Sequence, residues 1–532
     1  MKILFVARHL TYFRNFDSVL RLLASRGHAI HLAVERDDTL GASALVDTLA
    51  AEFPGITFGE APRREPGDWA RLTTRVRLGL DYLRYLDPEY DGTPRLRSRA
   101  AGRAPAFAVR FGESRWSRSS PVRWIVRRVL RAAEASLPAS TRIEAYLREQ
   151  RPDLMLITPL IGVVGSPQPD YVRAARALGI PTALCVWSWD HLSSKALIRD
   201  VPDRIFVWNE VQRREARRFH GVRSDRVVVT GAQCFDQWFG REPSRTRGQF
   251  CAQIGLPADR PMILYVGSAL FQGSPSEAAF VLRWIARLRA SADPRLRTAA
   301  LLIRPHPQRI GEWDNVDLSQ YSDVALYGGN PVTDQARADY YDSLFHSAVV
   351  VGLNTSAFLE AGIVGRPVLA ILPPEYQDNQ EGTLHFRYLT DVEGGLLRVS
   401  RTFDEHEAQL RDALQDGAGH RNHRFLEAFL RPHGIEVAAT PVFADAVEAL
   451  ARVPVRRGLP AASPLGRAAL AAIVAIDRSR RYRDWLMDEE DRRTHEWRRM
   501  KGVIRSKNRR AGLSAEEQAE AERRMRAERR LS

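Results

Sequence analysis

The sequence predicts an α/β protein of two tandem domains, each built on a parallel β-sheet with helices on both faces, and a helical basic tail. Short apolar runs alternate with stretches of helical spacing, and this pattern stops and restarts after an Arg-rich stretch at 241–247. A chain of 532 residues is long enough for two or three domains. We therefore expect an N-terminal domain at residues 1–240 with a basic insertion at 62–135, a second domain at 241–435, and a helical extension at 436–532 whose last part is solvated or disordered.

The first domain opens with a strand, a helix and a second strand. Ile3–Ala7 and Ala29–Val34 are apolar runs of strand length, and Phe16–Leu23 between them has its apolar residues on one helical face. Such a unit is typical of a parallel sheet that is buried on both faces. Similar segments predict further strands at Leu154–Thr158, Pro181–Val186, Arg204–Trp208 and Arg226–Thr230, and a helix at Asp170–Leu178.

The second domain repeats this alternation. The same signals predict strands at Met262–Val266, Ala299–Ile303, Val349–Gly352 and Pro367–Ile371, and helices at Glu277–Ala290, Tyr340–Ser347 and Ser356–Ile363. Two Rossmann-like domains in tandem leave a central cleft between the carboxyl ends of their sheets, where open α/β sheets bind ligands.

The net charge of +15 is unevenly distributed along the chain. Residues 62–135 carry 17 Arg and 8 acidic residues, and residues 478–532 carry 18 Lys and Arg and 11 acidic residues. The rest of the chain is almost neutral, which argues against a nucleic-acid-binding protein whose whole surface is positive. A hydrophobic content of 44% excludes global disorder.

Cysteine usage and apolar runs indicate a cytoplasmic protein. The three cysteines form neither a disulfide framework nor a zinc motif. The apolar run Ile3–Ala7 is too short for a signal peptide, and Ala468–Ile476 has nine residues where a membrane span needs about 20.

Three strand ends in the second domain carry small, polar or cationic residues. After the strand at 349–352, Asn354, Thr355 and Ser356 form a polar loop before a helix, and Glu360 lies one turn further on. A helix start favours a phosphate, and a carboxylate there can accept hydrogen bonds from vicinal hydroxyls. The alternative is a simple helix cap with a solvated glutamate.

The other two strand ends have the same character. Arg304 and His306 follow the strand at 299–303 in a stiff Arg-Pro-His-Pro stretch, where they could contact a diphosphate. Gly267 and Ser268 form a small turn that lets a ligand approach the backbone. Each could also be an ordinary turn, but together the three ends favour an anionic, nucleotide-type ligand.

A transferase would also need a base on the N-terminal side of the cleft. The candidates are His9, at the end of the first strand, and Asp190 and His191 in the segment Trp-Ser-Trp-Asp-His-Leu-Ser-Ser-Lys. The alternative is a Trp-rich packing element with Asp190 as a helix cap.

In order, these motifs resemble the donor-binding domain of GT-B glycosyltransferases and their relatives, including CDP-glycerol glycerophosphotransferases and surface-carbohydrate biosynthesis proteins. The Gly-Ser strand end, Arg-Pro-His-Pro and Asn-Thr-Ser…Glu-Ala-Gly…Gly-Arg-Pro-Val carry this resemblance, and Trp208-Asn209-Glu210 with Val229-Thr230-Gly231 is similar to the end of the family's first domain. It spans roughly residues 1–450. The resemblance implies that Glu360 binds the ribose, that Asn354 to Ser356 form the phosphate loop, and that Arg304 and His306 neutralise the diphosphate. The first loop is not the Gly-rich turn of many relatives, and the stretch Pro-Pro-Glu-Tyr-Gln-Asp-Asn-Gln-Glu replaces a shorter loop.

The expected activity is transfer of a glycosyl group from a nucleotide sugar to a cell-surface polysaccharide or lipid-linked acceptor. Neither a cofactor nor a metal is expected, because fixed cations and N–H groups can stabilise the leaving diphosphate. The alternatives are a UDP-N-acetylglucosamine 2-epimerase-like enzyme, a CDP-glycerol glycerophosphotransferase-like polyol-phosphate transferase, and a non-catalytic nucleotide-sugar-binding scaffold.

The two basic segments suggest an anionic membrane surface as a further partner. Residues 121–131 place Val122, Ile125, Val126, Val129 and Leu130 on one helical face with arginines opposite, the pattern of an interfacial helix. The C-terminal tail has a similar character, so we expect peripheral association with the inner face of the plasma membrane. The alternative is an amphipathic helix that packs on its own domain.

Overall fold

The structure is a computed structural model. The residues that it describes are 1–35, 43–160, 166–195, 197–271, 273–321, 323–331, 333–416, 420–455, 458 and 463–479. The solvated or disordered segment predicted for the end of the tail lies outside these residues.

The N-terminal half contains a seven-stranded parallel sheet. Its strands are β1 Lys2–Ala7, β2 Ala29–Val34, β3 Ile56–Glu60, β4 Leu154–Thr158, β5 Thr182–Cys185, β6 Arg204–Val207 and β7 Val227–Val229. They lie in the order β3-β2-β1-β4-β5-β6-β7. The direction of strand addition reverses between β1 and β4, which opens a crevice at the carboxyl ends of these two strands.

The C-terminal half contains a six-stranded parallel sheet with the same plan. Its strands are β8 Met262–Val266, β9 Ala300–Arg304, β10 Val324–Leu326, β11 Val349–Gly352, β12 Val368–Ile371 and β13 Leu397–Ser400. Their order is β10-β9-β8-β11-β12-β13, so the reversal lies between β8 and β11. The predicted α/β fold with two Rossmann-like domains is confirmed by these two sheets.

Helices cover both sheets. Those of the N-terminal half are α1 Asp17–Ser25, α2 Ser43–Glu52, α3 Asp68–Arg84, α4 Pro94–Ala101, α5 Ala106–Glu113, α6 Ser120–Ala135, α7 Thr141–Gln150, α8 Gln168–Leu178, α9 His191–Ser194 and α10 Glu210–His220. The later ones are α11 Arg247–Ile254, α12 Glu277–Arg289, α13 Pro294–Arg297, α14 Asp334–Phe345, α15 Ala357–Ile363, α16 Tyr388–Asp391, α17 Phe403–Asp416, α18 His420–Phe429, α19 Ala439–Leu450 and α20 Pro464–Arg478.

The helix α19 returns to the first sheet. The Phe443 ring lies 5.8 Å from that of Phe16 and 5.2 Å from that of Phe206, measured between ring centroids. Asp236, just after β7, accepts hydrogen bonds from the Thr440 backbone N–H and hydroxyl. The chain therefore crosses between the two halves twice, which ties them together at the base of the cleft.

The basic insertion folds as the helices α3 to α6, against which α20 packs. Several of its arginines form buried ion pairs: Arg77 lies 3.0 Å from Glu134 and 2.8 Å from Asp170. Arg75 pairs with Asp477 of α20. Part of the insertion's positive charge is therefore neutralised within the fold. Within the described ranges, no helix is both long enough and apolar enough to cross a bilayer.

Candidate functional site

The carboxyl ends of β8, β9 and β11 meet at the reversal point of the second sheet. The Gly267 N–H donates to the Arg304 carbonyl at 2.8 Å, and a Cβ atom on Gly267 would lie 2.5 Å from the His306 backbone nitrogen. Ser268 is fully buried, and its hydroxyl oxygen accepts from the Asn354 N–H at 3.1 Å. The three predicted strand ends are thus in contact, and glycine is required where two of them approach each other.

The turn at 354–356 is held from one side and open on the other. The Asn354 side-chain amide donates to the Asn379 carbonyl, and the Thr355 hydroxyl accepts from the Ala357 N–H at 3.4 Å. Ser356 is exposed and its side chain caps no helical N–H. The turn therefore presents a free hydroxyl beside the start of α15.

Glu360 lies above this turn and is held by a tyrosine. The Tyr340 hydroxyl donates to Glu360 Oε2. Burial raises the pKa of the Glu360 carboxyl to about 7, against the opposing effects of the Tyr340 hydrogen bond and the Arg14 charge. Arg14 comes from the loop after β1, so a cation of the N-terminal half faces this carboxylate across the cleft.

Arg304 packs against the Tyr340 ring. Its side chain is 6% exposed and donates to the Ser343 hydroxyl at 2.9 Å. The guanidinium carbon also lies 5.1 Å from the centroid of the Tyr340 ring. The structure therefore places Arg304 in contact with the tyrosine that binds Glu360.

His306 is half-buried beside Gly267. Its Nδ1 accepts from the Gln308 N–H at 3.2 Å. Burial, together with the Arg309 charge, lowers the pKa of His306 to about 4, so the imidazole is neutral near pH 7. In this state it can offer a diphosphate a hydrogen bond but no charge.

On the N-terminal side, a line of aromatic contacts joins the two predicted histidines, His9 and His191. The ring centroids of His9 and Tyr12 are 4.5 Å apart, those of Tyr12 and Trp187 are 5.0 Å apart, and those of Trp187 and His191 are 6.4 Å apart. His9 is half-buried, whereas His191 is 3% exposed and burial lowers its pKa to about 4. His9 is therefore the more accessible imidazole of the two.

Asp190 is saturated with hydrogen-bond donors. It accepts from the Ser188 hydroxyl, from the Ser194 hydroxyl at 2.9 Å and from Lys195 Nζ at 2.8 Å. Burial alone would raise the pKa of the Asp190 carboxyl, but Lys195 and His385 outweigh it and hold the pKa below its ordinary value. A carboxylate in this state accepts a proton poorly and acts instead as a fixed negative charge.

The basic insertion holds the loop that carries these groups. The buried Arg84 of α3 donates to the carbonyls of Leu192, Ser193 and Lys195, at 2.9 Å in each case. Its Nε donates to the Tyr90 hydroxyl. A residue from the insertion thus fixes the backbone next to Asp190 and His191.

Sequence reasoning missed four residues of this region. Arg14 lies in a segment where only His9 has a residue type expected of a base. Arg84 belongs to the basic insertion, where it is one arginine among many. Tyr340 is apolar enough to be counted as part of a helix face. His385 follows a long loop without strand or helix signals. Their roles depend on contacts between distant segments, which no local pattern reports.

Comparison with solved structures finds glycosyltransferases and UDP-GlcNAc 2-epimerases at low sequence identity. No protein-family model and no curated protein matches the sequence. WaaG, a glycosyltransferase involved in lipopolysaccharide biosynthesis, is 10% identical at a TM-score of 0.42, over 84% of this chain and 99% of that one. A glycosyltransferase from Rickettsia africae is 11% identical at 0.47, over 84% and 98%. The UDP-GlcNAc 2-epimerase from Neisseria meningitidis, solved with UDP-GlcNAc bound, is 12% identical at 0.47, over 84% and 100%.

Proposed function

We propose that the chain is a GT-B-type glycosyltransferase, which moves a glycosyl group from a nucleotide sugar to a hydroxyl of a cell-surface polysaccharide or a lipid-linked acceptor. The observation that carries this proposal is the pairing of two sets of groups across one cleft. A carboxylate held by Tyr340 lies beside three joined polar strand ends, and an accessible imidazole with a fixed carboxylate lies opposite.

The nucleotide would bind the C-terminal half. Glu360 accepts hydrogen bonds from the ribose hydroxyls, and the turn at 354–356 together with Gly267 receives the diphosphate, to which backbone N–H groups and hydroxyls can donate. Arg14 supplies positive charge from the opposite side, a role that Arg304 is too buried to fill.

The acceptor would meet the N-terminal half. Its hydroxyl oxygen forms a bond to the anomeric carbon while the bond from that carbon to the diphosphate oxygen breaks, and the electron pair leaves with the diphosphate. The hydroxyl proton passes to His9, the more accessible of the two imidazoles, while Asp190 stays ionised in its hydrogen-bonded site. These steps use the side chains of the chain itself, and the proposal includes no cofactor and no metal.

A thermal-shift panel tests the nucleotide site. The probes are the diphosphates of uridine, cytidine, guanosine and thymidine and their common sugars, since a ligand at about 100 times its dissociation constant adds about 2.7 kcal/mol of stability. We expect one base to stabilise the protein and its sugar to be consumed only when an acceptor is present. If no compound of the panel raises the melting temperature, the proposed donor site is refuted. Conversion of UDP-N-acetylglucosamine without any acceptor would favour an epimerase.

We also propose that the insertion binds the inner membrane surface, through a face that shares Ile125 with the predicted one but does not include Leu130. Leu130 is only 7% exposed, whereas Trp116, Trp124 and Ile125 are 59%, 59% and 52% exposed. Arg115 and Arg128 lie over the two tryptophan rings, each at 5.2 Å. Exposed tryptophan beside arginine suits the interface of an anionic bilayer.

Liposome sedimentation tests this association. Full-length protein is expected to sediment with vesicles that contain anionic lipid and to do so less when Trp116 and Trp124 are both changed to alanine. Equal recovery in the supernatant with and without anionic lipid would contradict the membrane proposal and leave the transferase proposal untouched.

A further inference from the structure

A segment of the C-terminal half, residues 379–388, touches both sides of the cleft; we call it the bridging segment. Its first end contacts the turn at 354–356, which we call the donor turn. The Asn379 carbonyl accepts from the Asn354 side-chain amide, and Gln380 Nε2 donates to the Leu353 carbonyl at 2.9 Å. A shift of this end would therefore move the turn at 354–356 as well.

The other end of the bridging segment contacts the N-terminal half through the side chains of His385 and Tyr388, among others. The His385 ring meets the Trp189 ring edge-on, with centroids 4.7 Å apart and an interplanar angle of 90°. The Tyr388 hydroxyl donates to Glu215 Oε1 at 2.7 Å. One short segment thus joins the donor turn to the loop that carries Asp190.

His385 also faces the charged groups of that loop. Burial lowers the pKa of its imidazole to about 4, Asp190 opposes this effect, and Lys195 and Arg99 add to it. The ring is 8% exposed, and its Nδ1 is buried with no hydrogen-bond partner among the described residues. The same holds for Nδ1 of His191.

We propose that His385 is a positioning residue of the acceptor centre, contributed across the cleft by the C-terminal half. His385 holds Trp189 and Asp190 at a fixed position relative to the donor turn. The Asp190 carboxylate then faces the reacting hydroxyl only when both halves of the protein are in contact. This role rests on the proposed glycosyl transfer, but the contact on which it depends can be tested without any substrate.

The contact is tested by NMR of the full-length protein with labelled histidine rings. The His385 signals are assigned by their loss in H385Q. We expect D190N to move the His385 signals, because it removes the charge that the ring faces. The matched control is E427Q, which should move the signals of His423, its exposed neighbour at 3.9 Å, and leave His385 unchanged. Unmoved His385 signals in D190N would overturn the proposal.

The functional consequence is tested with two substitutions of His385. H385F keeps an aromatic ring against Trp189 but has no ring nitrogen, whereas H385Q keeps a polar group. We expect both to bind nucleotide within about twofold of the wild type. Turnover of the nucleotide sugar that gives the largest thermal shift should fall on the order of tenfold to a hundredfold in H385F, and less in H385Q, because small misplacements of reacting groups are costly. H423Q should behave as the wild type.

The outcomes separate the two proposals. If the wild type binds no nucleotide, the transferase proposal fails and the acceptor role of His385 fails with it, whereas the NMR comparison still decides whether His385 faces Asp190. If the wild type is active and H385F turns over at the wild-type rate, His385 is packing only and the positioning role is refuted.

Discussion

Replacing Glu360 with glutamine should stabilise the protein and weaken nucleotide binding at the same time. The carboxyl group is buried beside Tyr340, and burial raises its pKa to about 7. An amide of the same shape can still accept the Tyr340 hydrogen bond but cannot ionise. The substitution therefore separates the cost of a buried charge from the contacts that the side chain makes.

The sign and size of the stability effect follow from the raised pKa of the Glu360 carboxyl. The pKa of the Glu360 carboxyl is 4.5 in the unfolded chain and about 7 in the folded protein, so the folded state holds the proton more tightly between these pH values. The wild type consequently loses at most about 3 kcal/mol of unfolding free energy as the pH rises from below 4.5 to above 7. The unfolding free energy of E360Q should not fall in this way, because glutamine does not ionise. It should match the wild type near pH 4 and exceed it at pH 8.

Nucleotide binding should change in the opposite direction. Hydrogen bonds to a charged group contribute about 1.5 to 3 kcal/mol, so E360Q should bind the nucleotide about 10- to 100-fold more weakly. In the wild type the ionised carboxylate is the better acceptor, and affinity should rise as the pH increases through about 7. This pH dependence should be absent from E360Q.

Urea unfolding and calorimetric titration at several pH values measure both effects. The matched control is E427Q, whose side chain is 47% exposed and lies outside the proposed site. If E360Q shows the same pH dependence of stability as the wild type, the buried-charge reasoning is wrong. If E360Q binds nucleotide as tightly as the wild type, the ribose-binding role is wrong.

Two further substitutions test the geometry. G267A should lower the unfolding free energy by about 1 to 3 kcal/mol and weaken nucleotide binding, because its Cβ would lie 2.5 Å from the His306 backbone nitrogen, whereas G248A has open space and should be neutral. R84M should make the loop at 192–195 sensitive to protease while nucleotide affinity stays within about threefold, since it removes three hydrogen bonds to that loop and one to Tyr90 but none to the turn at 354–356. If the loop at 192–195 resists protease in R84M as it does in the wild type, Arg84 does not hold that loop.

The central strands were predictable, whereas the edge strands β3 and β10 were not. β1, β4 and β11 are fully or almost fully buried, so each is a continuous apolar run in the sequence. β3 and β10 lie at sheet edges and keep exposed residues such as Phe58 and Leu326. A half-exposed strand of three to five residues has at most a very short apolar run, as in the Val-Ala-Leu of β10, and such a run does not predict a strand.

The candidate site was predictable in its strand ends but not in its cross-contacts. Gly267, Ser268 and Asn354 follow predicted strands directly, and topology alone brings them together. Their partners come from far along the chain: Asn379 holds Asn354, and Tyr340 holds Glu360. These pairs depend on how loops of different length fold back over one sheet edge, which spacing within one segment cannot report.

The distribution of positive charge decides how such a site would work. Arg304 and His306 carry the predicted charge, but the first is committed to Ser343 and the second is neutral near pH 7. The exposed cation whose charge reaches Glu360 is Arg14, and it belongs to the opposite half. A diphosphate would therefore find much of its electrostatic stabilisation across the cleft rather than in the domain that binds its base and ribose. Binding of the donor would then stabilise the contact that the bridging segment makes with the Asp190 loop.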